Sequence, residues 1–132
     1  MNDLVEAVRV YTRYDLPDKN GVTRRERNEI VNVDSPKFEL PDAGIYLWKW
    51  FTDLNLCVHR VDFNGYYYNI PPSEFLAWST LKGITIFPEE YEILKSMDSV
   101  FCKELNADIN AFRAKEDDRR KREMEASKSF RR

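Results

Sequence analysis

The sequence predicts a mainly α-helical fold: a small helical domain with a long C-terminal helix and a β-hairpin near residues 57–70. Three observations carry that prediction. Apolar residues recur at positions 94, 97, 101, 105, 109 and 112, steps of three or four that mark one face of a long helix. Helix-start signals stand before three aromatic-rich blocks, at Asp42, at Pro71-Pro72-Ser73 and at Pro88-Glu89-Glu90. One Asn-Gly pair, Asn64-Gly65, separates two β-prone runs, and a two-residue turn with positive φ at both centres favours that pair.

Taken in order, Asp3 and Glu6 have capping-box spacing, and Leu4, Val8 and Tyr11 recur at helical intervals. A first helix over about residues 4–14 follows, ended by Pro17 and the turn-like Asp18-Lys19-Asn20-Gly21. Residues 23–33 fit either of two states. Their charged start suits a helix, whereas Ile30, Val31 and Val33 suit a strand. Ser35-Pro36 and Leu40-Pro41 bracket an extended linker, because a residue before proline avoids the helical region.

A second helix over about residues 43–55 is capped by Asp42. Ile45, Trp48, Phe51 and Leu54 fall near one face, and Tyr46, Leu47 and Trp50 broaden it, leaving Lys49, Thr52 and Asp53 on a narrow wet side. The hairpin comes next. Its runs are Val58 to Phe63 and Tyr66 to Ile70, and it needs the helices to pack against. Pro71-Pro72 stops the second run, and a third helix extends to about Lys82 with Gly83 as its left-handed stop. After the connector Ile84 to Phe87, Pro88 opens the last helix with two carboxylates on its positive end. Its apolar stripe reaches Phe112. Residues 1–113 are therefore read as one domain and 114–132 as a charged, basic helix extension or disordered tail, with disorder expected from Ser127 onward.

The chain has 132 residues, with 42% hydrophobic, 33% charged and 14% aromatic side chains. That aromatic content favours a packed core over disorder. Net charge is −2 but unevenly placed. Residues 113–132 hold nine basic and five acidic side chains, net +4, and the other 112 hold twelve and eighteen, net −6. An acidic body with a basic tail favours head-to-tail self-association or acidic partners. The plainer alternative is a solvated helix end that keeps the chain soluble.

Catalytic and metal chemistry find no constellation to rest on. Cys57 and Cys102 are far apart and in no CxxC or Cys/His cluster, so two reduced, mostly packed thiols and no metal are expected. His59 is the only histidine and has no acid or thiol spaced to join it. Four ungrouped glycines make no phosphate loop. No run approaches the roughly 20 apolar residues of a membrane span, and the first residues resemble no signal peptide. A soluble, intracellular, non-enzymatic protein without cofactor is expected. Nucleic acid is the rival partner: the helix pair around Gly83 has a helix-turn-helix order, and the tail offers Arg119-Arg120-Lys121-Arg122. Against it, the would-be recognition helix begins Glu89-Glu90-Tyr91-Glu92, which meets phosphates with like charge.

Read together, the three blocks resemble the tail assembly chaperones of long-tailed bacteriophages, the siphophage type included. Tyr46, Trp48, Phe51 and Leu54 match that family's aromatic helix, and Arg60 its loop arginine. Ile70, Pro71, Phe75 and Trp78 match its Ile-Pro helix, and Ile93, Met97 and Asp98 its acidic helix. The match spans about residues 44–101. The family's loop is short and glycine-rich, whereas this chain has the Asn64-Gly65 segment, and residues up to Pro41 carry no family motif. The resemblance implies a helical, non-catalytic protein of the host cytoplasm, absent from the mature virion. It implies binding of the tape measure protein, recruitment of the major tail tube protein, and self-association. A client helix needs apolar and aromatic grooves, so the partner-binding residues expected are Trp48, Trp50, Phe75, Trp78 and Tyr91, at least two of them serving the core. The alternative is a small nucleic-acid-associated phage regulator using the helix pair and basic tail.

Overall fold

The structure, a computed structural model, describes residues 2–58 and 60–130. The chain is mainly helical, and its elements follow the order α1 (Asn2–Val10), a π-helical turn (Tyr11–Asp15), α2 (Arg24–Ile30), a 3₁₀ turn (Asp42–Gly44), α3 (Ile45–Cys57), α4 (Pro72–Lys82) and α5 (Pro88–Phe130). The N-terminal half of α5 is the spine, with α1 and α3 packed along it. One core joins Leu4 and Val8 of α1, Leu47, Phe51 and Leu54 of α3, Phe75 and Trp78 of α4, and Leu94, Met97 and Phe101 of α5.

The stop of α4 is as the sequence predicts. Gly83 has φ +66°, its N–H donates to Thr80, and the Ile84 N–H donates to Ser79 at 2.9 Å, the paired bonds of a Schellman cap. The same device resolves residues 23–33 as a helix. Thr23 caps its start, accepting the Glu26 N–H at 3.2 Å, and Asn32 ends it at φ +57°. The Val33 N–H then donates to Asn28 at 2.8 Å. Ile30, Val31 and Val33 are exposed, so they belong to no strand and to no core. At the chain start, Asp3 lies within α1, and Glu6 turns to Arg9 at 3.0 Å rather than completing a capping box. Asp42 opens the 3₁₀ turn and makes no side-chain cap for α3, which starts from Gly44.

Gly44 is where α3 meets α1. A Cβ added there would stand 2.8 Å from Leu4 Cδ1, and Leu4 is buried. Gly44→Ala is expected to destabilise the fold by about 1–3 kcal/mol through overpacking, read as a lower midpoint in urea unfolding.

The hairpin is reduced to a single antiparallel bridge, Val61 with Tyr67, and no strand forms among the described residues. The reason is local. The Asp62 carboxylate accepts the N–H groups of Asn64 and Tyr66, both at 2.9 Å, and the Gly65 N–H closes a turn onto the Asp62 carbonyl. Positive φ falls on Gly65 alone, at +86°, so the two-residue turn is replaced by a longer one. The outer edge is then taken by α5. Asn106 accepts the Tyr67 N–H at 2.8 Å and donates back to the Tyr67 carbonyl at 2.9 Å, while Asp98 accepts the Ile70 N–H at 2.8 Å. Tyr66 donates to Asn110, and the Arg113 guanidinium bonds the Asn64 carbonyl. Asp98, Cys102, Asn106, Asn110 and Arg113 thus form a polar stripe, one residue per helical turn, that straps residues 60–70 onto α5.

Phe112 departs from its expected place in the apolar stripe, being 63% exposed, whereas Leu94, Met97 and Phe101 are buried. Beyond it the helix continues to Phe130, so residues 127–130 are helical rather than disordered. Removing 114–132 is expected to move the melting temperature by less than about 4 °C, under roughly 1 kcal/mol, because no core residue lies there. Loss of a cooperative melt would contradict this. Among the described residues no helix is long and apolar enough to cross a membrane.

Candidate partner-binding site

The five aromatic candidates separate into three places. Trp48 and Trp50 are two residues apart on α3, hence on nearly opposite faces. Trp48 lies edge-on to Tyr11 at 5.3 Å and tilted against Phe38 at 5.2 Å, which fastens the extended segment 33–41 to the domain. Trp50 lies edge-on to Tyr46 at 5.0 Å and to Trp78 at 6.3 Å. Trp78 is only 6% exposed, and its indole N–H donates to Asp53 at 2.8 Å. That bond, followed by Lys82, holds the Asp53 carboxyl below its ordinary value. The contact is therefore complete at neutral pH and is lost as acid protonates Asp53.

Phe75 and Tyr91 form the third place. Their rings meet edge-to-face at 5.2 Å, with Phe75 buried and Tyr91 half-buried. Both line an open groove of about 410 Å³ between α4 and the connector, together with Pro72, Leu76, Ser79, Thr80, Ile84, Thr85 and Ile86. Among the described residues no charged side chain lines it. Leu76 is 69% exposed, an apolar side chain offered to solvent at the groove. The sequence reading weighted aromatic rings and passed over Leu76, Ile84 and Ile86. Their signal was an apolar, β-branched connector between a glycine stop and a proline start, which has no core-facing period. Glu90 sets the start of α5 beside this groove: it accepts the Phe87 N–H at 2.9 Å, and its bond with the Tyr46 hydroxyl raises that phenol above its ordinary value.

Arg60 and Asp98 meet as a buried ion pair, each 2% exposed. Arg60 also donates to Asn55 at 2.5 Å and lies over the Phe101 ring at 4.7 Å. Burial pulls the Arg60 guanidinium below its ordinary value and pushes the Cys102 thiol up, with Arg60 opposing the latter. A buried thiol so shifted is protonated at neutral pH and is no nucleophile. Cys57 is exposed, against the expectation of a packed thiol. Among the described residues no group of three or more His, Cys, Asp or Glu side chains is placed to hold a metal ion, and His59 lies outside them. What the arrangement offers chemically is contact: an uncharged apolar groove on a rigid helical frame.

Comparison with protein-family models, with curated proteins and with solved structures finds no match.

Proposed function

We propose that the chain is a non-catalytic tail assembly chaperone of a long-tailed bacteriophage. It binds the tape measure protein and recruits tail tube subunits in the host cytoplasm, and it is absent from the finished particle. One observation carries this reading. Eight of the twelve motif residues behind the resemblance (Phe51, Leu54, Arg60, Ile70, Phe75, Trp78, Met97 and Asp98) are buried, while Trp48, Pro71 and Ile93 are half-buried and Tyr46 is exposed. The surface beside them is the groove that Phe75 and Tyr91 line. The motifs thus act first as a core signature, and the α4 groove is the surface that this core supports.

An amphipathic helix docks by placing successive apolar side chains into such a groove. Its open, largely apolar lining suits that mode better than turnover of a small substrate, since no charged side chain among the described residues lines it. The tube subunit would then be held by the exposed apolar residues elsewhere on the surface, among them Leu56 and Leu81. The test is co-expression of the tagged chain with the tape measure protein of the same phage. A soluble complex of fixed stoichiometry is expected. A tape measure protein that stays insoluble, with nothing co-purifying, would reject the proposal.

A further inference from the structure

The far end of α5, residues 114–130, carries six basic and five acidic side chains, and most of its cations stand outside any ion pair among the described residues. From residue 114 to 130 the helix extends roughly 25 Å at 1.5 Å per residue, exposed throughout except at the half-buried Glu116. Arg119 is held by Glu116 at 2.9 Å and Glu123 at 3.0 Å. Arg120, Lys121, Arg122 and Lys128 make no ion pair among the described residues. Helical spacing places Arg120, Lys121 and Lys128 around Met124, which is 61% exposed. Here is an apolar side chain ringed by free cations.

The complementary surface is on the same molecule. Glu74 in the first turn of α4, and Glu89 and Glu92 at the start of α5, are exposed and adjoin in sequence the groove-lining Phe75 and Tyr91. No ion pair occupies them among the described residues. Yet Glu92 and Lys121 lie on one unbroken helix, roughly 43 Å apart at its normal rise. One chain cannot bring these ends together, so their match is between molecules. Beyond Phe112 this end of the helix has no packing neighbour of its own, and side-chain pairs such as Glu116–Arg119 contribute only about 0.2–0.5 kcal/mol each. A docked partner surface supplies what the helix lacks.

We propose that the C-terminal end of α5 docks head-to-tail on the α4 groove of a second copy of this chain. Met124 meets the apolar lining, and Arg120, Lys121 and Lys128 meet Glu74, Glu89 and Glu92. The contact is heterologous, so successive copies close into a ring or extend as a filament. It deepens the chaperone reading, on which only one clause rests: a client helix displaces the neighbour's α5 from the same groove.

Sedimentation velocity of the full chain alone, across concentration and ionic strength, tests this without any client, so its failure leaves the chaperone proposal separately testable. Wild type is expected to associate at low salt and to dissociate as salt screens the charges. A tail variant (Arg120→Glu, Lys121→Glu, Lys128→Glu) and a groove variant (Glu74→Lys, Glu89→Lys, Glu92→Lys) are each expected to weaken association at least tenfold. Mixing the two restores it, because the reversed tail meets the reversed groove. Met124→Asp, which changes no helix start, gives the same loss if the groove variant fails to fold. Any one of three results overturns the proposal: a wild type that is monomeric throughout, variants that associate like wild type, or a mixture that stays apart. So does a monomeric chain whose tail cations bind duplex DNA at low salt.

Discussion

Asp98→Ala is expected to destabilise the fold by about 3–5 kcal/mol, the effect of removing one partner from a buried ion pair. Both Asp98 and Arg60 are 2% exposed, so the arginine left behind has no route to water. The loss extends to the backbone, since Asp98 also accepts the Ile70 N–H at 2.8 Å and that donor becomes unpaired. A domain of ordinary stability has about 5–15 kcal/mol in total, and the variant should therefore unfold at much lower urea. Replacing both partners with apolar residues, Arg60→Met with Asp98→Leu, is expected to recover much of the loss, because no uncompensated charge remains. Urea unfolding followed by far-ultraviolet circular dichroism checks both. A single variant within about 1 kcal/mol of wild type would contradict the assignment, given the magnitude for buried pairs.

Trp78→Ala is expected to have a loss of similar size, about 3–5 kcal/mol, from the cavity left by a large buried side chain. Trp78 is 6% exposed and belongs to the same core as Leu54, Phe75 and Leu94. Leu76, two residues earlier on α4, is 69% exposed at the groove, and Leu76→Asp is expected to change stability by no more than about 0.5 kcal/mol. The pair separates frame from surface. A Trp78→Ala chain with wild-type stability would place that ring on the surface after all.

These two residues also show where the sequence was legible. Local signals read well: the proline start of α4, its glycine stop, and the three-or-four spacing that ends in the buried Leu94, Met97 and Phe101 each depend on a few neighbouring residues. Residues 23–33 were legible in principle, through Thr23 and Glu26, but the exposed Ile30, Val31 and Val33 mimicked a strand. The hairpin shrank to one bridge because the Asp62 carboxylate takes the turn's N–H groups and lengthens the turn, and its outer edge found side chains instead of a strand. Asn106 and Asp98, 28 residues or more along the chain, take backbone groups of that outer edge. A polar stripe at four-residue spacing on a helix reads as a wet face until something is seen to lie on it. Arg60 entered through the resemblance alone, and nothing in the spacing of Arg60 and Asp98 announces a buried pair.

Of the five aromatic candidates, the groove takes Phe75 and Tyr91, and the core takes Phe75 and Trp78. Trp48 fastens the 33–41 segment through Tyr11 and Phe38, a role invisible without the fold. The non-aromatic Leu76, Ile84 and Ile86 complete the groove. Aromatic content marks core and groove alike, because large rings fill a core as readily as a contact surface.

The most direct measurement is co-expression of the tape measure protein with wild-type chain and with Leu76→Asp, each melted separately to compare stability. A charge placed in the apolar groove is expected to reduce the recovered complex at least tenfold while the melting temperature stays within a few degrees of wild type. Undiminished recovery of complex with a folded Leu76→Asp chain would show that the client does not use the groove.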